Sequence, residues 1–130
     1  MDETFDDAQA TRLMGRFGKA YFSRDPQLLA QVITEDAEWH FAFGTDVPNG
    51  RVRKGLAGFL QGIRDNEALF ERLKFLNVEC RTVSANHIVM TYLVDGQYRS
   101  GQAFSLRGIE LILIRDGKVA LKDVFWKQAG

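Results

Sequence analysis

One carboxylate, Glu110, interrupts an otherwise apolar run, Ile109-Glu110-Leu111-Ile112-Leu113-Ile114, just ahead of the turn Arg115-Asp116-Gly117-Lys118. A charge in such a run must be paired or put to use, because an isolated buried carboxylate is too costly to keep. Lys122, on the strand that follows the turn, is the natural partner. A three-residue loop Arg115-Asp116-Gly117, with Gly117 left-handed, sets Ile114 against Lys118 and Glu110 against Lys122. A two-residue Asp-Gly loop would instead oppose Glu110 to Asp123, and like charges across a ladder repel. The first register is therefore expected. Val, Ile, Leu and Phe on both faces of these strands predict a central hairpin covered on both sides, with an acid and a base inside it. The pair has three readings: a general acid and base, an anchor for a polar substrate group, or a structural ion pair.

Other residues supply chemistry of lower specificity. His40 is a natural proton shuttle. Strict alternation turns it away from Trp39 and Phe41, so that it faces the interior only if a bulge reverses the parity, and it divides between site and structural roles. Tyr21 lies one helical turn beyond Phe17 on the same face and offers either a hydroxyl donor or a core tyrosine tied to backbone. Trp39, Phe41, Phe43, Phe59, Tyr92 and Phe104 form an aromatic set, core by default and a ligand wall if a cavity is present. Arg51, Arg53 and Lys54 crowd a loop with Asp46, and read either as a steering patch for an anionic substrate or as a solvated loop. Cys80, the single cysteine, alternates with Leu76 and Val78 as an apolar strand residue and is given no role. His40, His87 and Cys80 lack metal-ligand spacing, so no metal is expected, and no phosphate loop or recognisable nucleophile setting is present. No cofactor is expected.

The elements that must position these groups follow from periodicity. Ala8–Arg24 has Leu13, Met14, Phe17, Ala20 and Tyr21 at helical spacing. Asp25 then caps a short second helix, Pro26–Ile33. Ala37–Phe43 alternates as a strand with one buried face, and 44–55 is a loop rich in Gly, Pro, Asn and Asp. Leu56–Phe70 is a third helix despite Gly58 and Gly62, each costing about 1 kcal/mol of propensity unless a neighbour needs the space. Strands follow at Leu73–Val83, His87–Val94, Gly101–Ile114 and Lys118–Trp126, with turns at Ser84-Ala85-Asn86, Asp95-Gly96 and Asp116-Gly117. Three helices with one inserted strand, then long antiparallel strands, define an α+β arrangement in which a curved sheet wraps helices into a cone.

The 130 residues fit one domain spanning 1–130. Seventeen basic and seventeen acidic residues balance, so no global field favours nucleic acid or an anionic membrane. The acidic start, Met1 to Asp7, lacks the pattern of a signal peptide and no stretch has the length of a membrane span, which points to the cytoplasm.

The ordered set Ser23-Arg24-Asp25, Glu35-Asp36-Ala37-Glu38-Trp39, Phe43-Gly44, Gly50-Arg51 up to Gly55, and Gly108-Ile109-Glu110 through Arg115-Asp116-Gly117-Lys118-Val119 to Phe125-Trp126 resembles the NTF2-like superfamily, in its SnoaL-like and ketosteroid-isomerase-like branch. The resemblance covers nearly the whole chain. It implies a cystatin/NTF2-like cone of three N-terminal helices packed in a curved, mixed, mostly antiparallel sheet. It places the isomerases' helix-1 tyrosine at Phe17, their strand-1 base at Phe41 and their protonated acid at Glu110, with Lys122 and Trp126 on the interior side of the last strand. Phenylalanine neither donates to an enolate nor takes a proton, so typical steroid isomerisation is not expected. The resemblance implies instead a small, mostly apolar organic ligand in the cone and cofactor-free acid and base chemistry: isomerisation, cyclisation, dehydration or hydration. Glu110, Lys122 and His40 are the candidate catalytic residues. Phe17, Tyr21, Trp39, Phe41, Phe59, Tyr92, Phe104 and Trp126 are the candidate binding residues. The alternative is a non-catalytic ligand-binding or dimerisation module. A homodimer through the outer sheet face, by way of Ile109, Leu111 and Leu113, is also expected.

Overall fold

The structure, a computed structural model, describes residues 5–127; the first four residues of the acidic N-terminal segment, and 128–130, lie outside the described residues. Helix α1 (Asp7–Ser23) opens on a capping box: Asp6 accepts from the Gln9 amide while the Gln9 side chain accepts from the Asp6 amide. It buries Ala10, Leu13, Met14, Phe17 and Ala20, the expected face, and Arg24 closes it with φ 56°. Helix α2 (Pro26–Val32) starts as expected, with the Asp25 carboxylate accepting from the Gln27 and Leu28 amides and Pro26 in the first turn.

Strand β1 (Ile33–His40) starts and ends earlier than the alternation alone indicates. Exposed Glu35 and Asp36 hide its first half from any periodicity rule, and it is strand because Ile33 pairs with Val119. A three-residue strand, β2 (Val52–Lys54), lies inside the segment read as loop and is antiparallel to β1, with His40 opposite Val52. It is too short to show a pattern. Helix α3 (Gly55–Leu69) follows, and Gly62 makes room for an aromatic pair: a Cβ there would lie 2.6 Å from Trp39 Cζ3 and 2.9 Å from Phe41 Cζ.

The chain then runs β3 (Phe70–Ser84), β4 (His87–Tyr98), β5 (Ala103–Arg115) and β6 (Lys118–Trp126). The turn expected at Asp95-Gly96 is instead continuous strand, because Gly96 pairs with Phe104 and its missing side chain admits the Phe104 ring. The reversal comes after Tyr98, where Tyr98 O accepts from the Gly101 amide. The six strands order as β2-β1-β6-β5-β4-β3, with β1 parallel to β6 and all other neighbours antiparallel. Three helices and a curved mixed sheet form the expected α+β cone.

The β5–β6 register differs from the expected one. The turn is the two-residue Asp116-Gly117 type, with φ 55° and 71°, and Arg115 opposes Lys118. A bulge then lets Ile114 pair with Val119 but Leu113 with Leu121, so Ala120 is the extra residue. Glu110 therefore faces Val124, and Lys122 faces Ile112. The extra residue removes the Glu110–Asp123 opposition and keeps Lys122 on the face of Glu110, two residues along rather than directly across. The hairpin is central, yet only its inner face is covered: Ile109, Leu111 and Phe125 are 37, 44 and 48 % exposed on the other side.

Candidate functional site

Residues of β1, β3, β4, β5 and β6, one side of α1 and Asn66 of α3 bound a cavity of about 350 Å³. Glu110 and Lys122 lie in its wall. Their side chains are 3 and 8 % exposed, and Lys122 Nζ stands 2.9 Å from Glu110 Oε1. The other carboxylate oxygen, Oε2, accepts from the Tyr92 hydroxyl at 2.6 Å, and Tyr92 in turn accepts from the Trp126 indole N–H at 3.0 Å. The directions of these bonds make Glu110 the acceptor at the end of a Trp126–Tyr92 chain. Oε1 has charge pairing without an aligned hydrogen bond. Burial pushes the Tyr92 hydroxyl far above its usual pKa, and the Glu110 charge adds to this, so Tyr92 stays protonated and donates.

Local sequence explains this placement. Tyr92 pairs with Gly108 and Gly108 with Trp126, and the Tyr92 ring covers the space that a side chain at 108 would fill. The edge of Phe75 fixes the ring further, at 5.0 Å and 89°. Lys122 is enclosed by aromatics as well as by the acid, its Nζ 4.9 Å from the Trp39 ring centre and 5.5 Å from that of Phe17. A carboxylate and an indole make a cage suited to an ammonium group, and here the chain fills it with its own.

Of the residues expected at the site, the structure gathers Glu110, Lys122, Phe17, Tyr21, Trp39, Phe41, Tyr92 and Trp126 around the cavity. Phe41 stacks on Trp39 at 4.2 Å and 18°. Three candidates fall outside. His40 points away from the cavity with Glu38, its Nε2 3.0 Å from the carboxylate, because the strand keeps strict alternation at Trp39-His40-Phe41 and no bulge reverses it. Phe59 is fully buried behind the wall, edge-on to Phe17. Phe104 sits over Gly96 and against Trp126, outside the lining. Arg51 and Arg53 are held by Asp65 on α3, at 3.5 and 2.7 Å, and do not line the cavity. Burial raises the Asp65 pKa, but donors Gln61 and Arg53 outweigh it and hold the carboxyl below its usual value. Cys80 does reach the cavity as a buried thiol, its pKa pushed up by desolvation. Among the described residues, no three His, Cys, Asp or Glu side chains gather as metal ligands.

Asn66 was not singled out from sequence and belongs to this wall. It is 8 % exposed, and its Nδ2 donates to the Tyr21 hydroxyl at 2.7 Å. The signal was present: Phe59, Gly62, Ile63 and Asn66 form the buried stripe of α3, and a polar residue on such a stripe must be satisfied by something.

Three helices against a curved, six-stranded mixed sheet make the conical α+β fold of the NTF2-like class. The chain belongs to the SnoaL-like domain family, whose model matches residues 14–122. The fold is similar to that of an NTF2-like protein from Burkholderia xenovorans LB400, at 16 % identity and TM-score 0.78, covering 95 % of this chain and 92 % of that one. A protein of Xanthomonas campestris pv. campestris, provisionally named a polyketide cyclase, superposes with TM-score 0.75 at 18 % identity over 93 and 92 % of the two chains. A protein of ketosteroid isomerase-like fold from Catenulispora acidiphila DSM 44928, solved in complex with trimethylamine, gives TM-score 0.71 at 11 % identity over 88 and 85 %. No curated protein gives a significant match. No helix among the described residues is long and apolar enough to cross a membrane.

Proposed function

We propose that the chain binds a small, largely apolar organic molecule in the cavity, with Glu110 as the group that fixes its polar end. The buried Glu110–Lys122 pair in a cavity wall carries this reading. Apolar residues of the same volume would hold the fold as well, or better by about 1–4 kcal/mol, so stability alone does not account for a charged pair there. Because Lys122 occupies the carboxylate-and-indole cage, the ligand end near Glu110 is neutral rather than cationic. Stacked Trp39 and Phe41 offer a flat surface for an unsaturated body. That one structural neighbour is provisionally named a polyketide cyclase accords with this chemistry.

In a catalysed reaction Glu110 takes a proton from an acidified C–H or O–H of the substrate, while the bonding pair moves towards a neighbouring carbonyl oxygen. Return of that proton at another atom gives an isomerised product; attack of the enolate carbon on a second carbonyl carbon of the same molecule, whose oxygen takes the electron pair and then the proton, gives a cyclised one, and neither route consumes a cofactor. Lys122 supplies the countercharge, and Tyr92 with Trp126 holds the carboxylate in place. The apolar Phe17 and Phe41 favour a second reading, binding without turnover, in which Glu110 only anchors.

Glu110→Gln tests the shared core of both readings. With 2-naphthol as probe in isothermal titration, affinity should fall about 10-fold or more, the scale of one hydrogen bond to a charged group. An unchanged affinity would remove Glu110 from the binding role. The outer face of β5 and β6, with Ile109 opposite Phe125, is proposed to bury against a second copy of the chain.

A further inference from the structure

The cavity has a second polar pole that the Glu110 chemistry does not use. Asn66 on α3 and Tyr21 on α1 meet at 2.7 Å in the cavity wall. This bond leaves two capacities unspent. Asn66 Oδ1 is buried with no hydrogen-bond partner, and the Tyr21 hydroxyl, which accepts from Asn66, has no acceptor for its own proton among the described residues. Rotating the amide by 180° exchanges the roles without closing the account: Tyr21 would then donate to Oδ1, leaving the Asn66 NH₂ unpaired and the tyrosine oxygen free to accept. Either orientation presents one donor and one acceptor side by side.

A buried polar atom without a partner costs about 1–3 kcal/mol, and an apolar pair at 21 and 66, phenylalanine with leucine, would leave no polar atom in need of a partner. Tyr21 cannot relieve it by ionising, since burial pushes its pKa up to about 12. The pole borders the same indole as the first one: the Tyr21 ring lies 6.0 Å from Trp39, and Lys122 Nζ stands 4.9 Å from it.

We propose that Tyr21 and Asn66 form a second recognition site that takes a hydroxyl or enol group, which donates and accepts at once, on the same molecule whose other end meets Glu110. The inference rests on the cavity being a binding site, and it makes the ligand bipolar: a flat apolar body on Trp39 and Phe41 with an oxygen function at each end. A carboxylate fails at this pole because it only accepts, and an ammonium because it only donates.

Two probes of one shape separate this inference from the reading beneath it. Isothermal titration of the wild type should give 2,6-dihydroxynaphthalene about 5- to 10-fold tighter than 2-naphthol, the scale of one net hydrogen bond. Asn66→Leu should abolish that preference, so that the two probes bind the variant with equal affinity. Glu110→Gln should weaken both probes and keep their ratio. Equal affinity of the two probes for the wild type, or a preference that survives Asn66→Leu, overturns the second site and leaves the first intact. Failure of both probes to bind the wild type overturns the cavity reading and this inference together. A melting temperature for Asn66→Leu at or above that of the wild type, accompanying loss of the preference, identifies the residue as kept for binding rather than for the fold.

Discussion

Lys122→Met tests whether the charged pair is as buried as it looks. Methionine keeps the stem that packs on Trp39 and Phe17 but removes the cation 2.9 Å from Glu110 Oε1, leaving a carboxylate that is 3 % exposed with only the Tyr92 hydroxyl to satisfy it. Breaking one side of a buried pair costs about 3–5 kcal/mol. Loss of the ammonium from the faces of two rings adds to this, by up to about 2 kcal/mol where the site is dry. Against a total stability of about 5–15 kcal/mol for a domain of this size, the variant should be folded but much weakened. At roughly 3–4 °C per kcal/mol, the melting temperature should fall by about 9–28 °C. Urea unfolding at neutral pH, read by the fluorescence of Trp39 and Trp126, measures the same loss at fixed temperature. The double variant Glu110→Leu with Lys122→Met should recover most of it, since no charge is then stranded. A single variant within about 1 kcal/mol of wild type would refute the reasoning, because it would mean that water reaches Glu110 well enough to screen it. A double variant as weak as the single one would refute it too, by placing the cost in packing rather than in charge.

Two further outcomes follow from other parts of the molecule. Tyr21 holds its proton to about pH 12 in the fold but loses it near its usual pKa of 10 when unfolded; the unfolded chain therefore binds fewer protons between those values and stability should fall as pH rises from 10 to 12, by up to about 2–3 kcal/mol. Urea midpoints for wild type and Tyr21→Phe across pH 9–11.5 check this, the variant losing less over the interval, and parallel curves would contradict it. Light scattering should give twice the 14.7 kDa chain mass at micromolar concentration, and Phe125→Lys, which places a charge on a residue 48 % exposed, should give the monomer; a monomeric wild type would defeat the proposed dimer.

The sequence by itself determined the features that local chemistry dictates. The face of α1, the Asp25-Pro26 start of α2, the span of β6 and the presence of an acid and a base on one side of the last hairpin all follow from periodicity, capping and side-chain parity, which act within a few residues. Tertiary structure decided what depends on distant partners. The bulge at Ala120 set which residues face each other across β5 and β6, and the acid reached its lysine diagonally because an extra residue preserves parity without preserving opposition. The start of β1 is strand because Ile33 meets Val119 of β6, and Gly96 is strand because it pairs with Phe104, whose ring fills its empty side. The Trp126–Tyr92–Glu110 chain needs two ladder registers at once, and the Tyr21–Asn66 contact joins residues 45 apart along the chain. No pattern within one segment records such a meeting, because the free energy that selects it comes from burying several segments together.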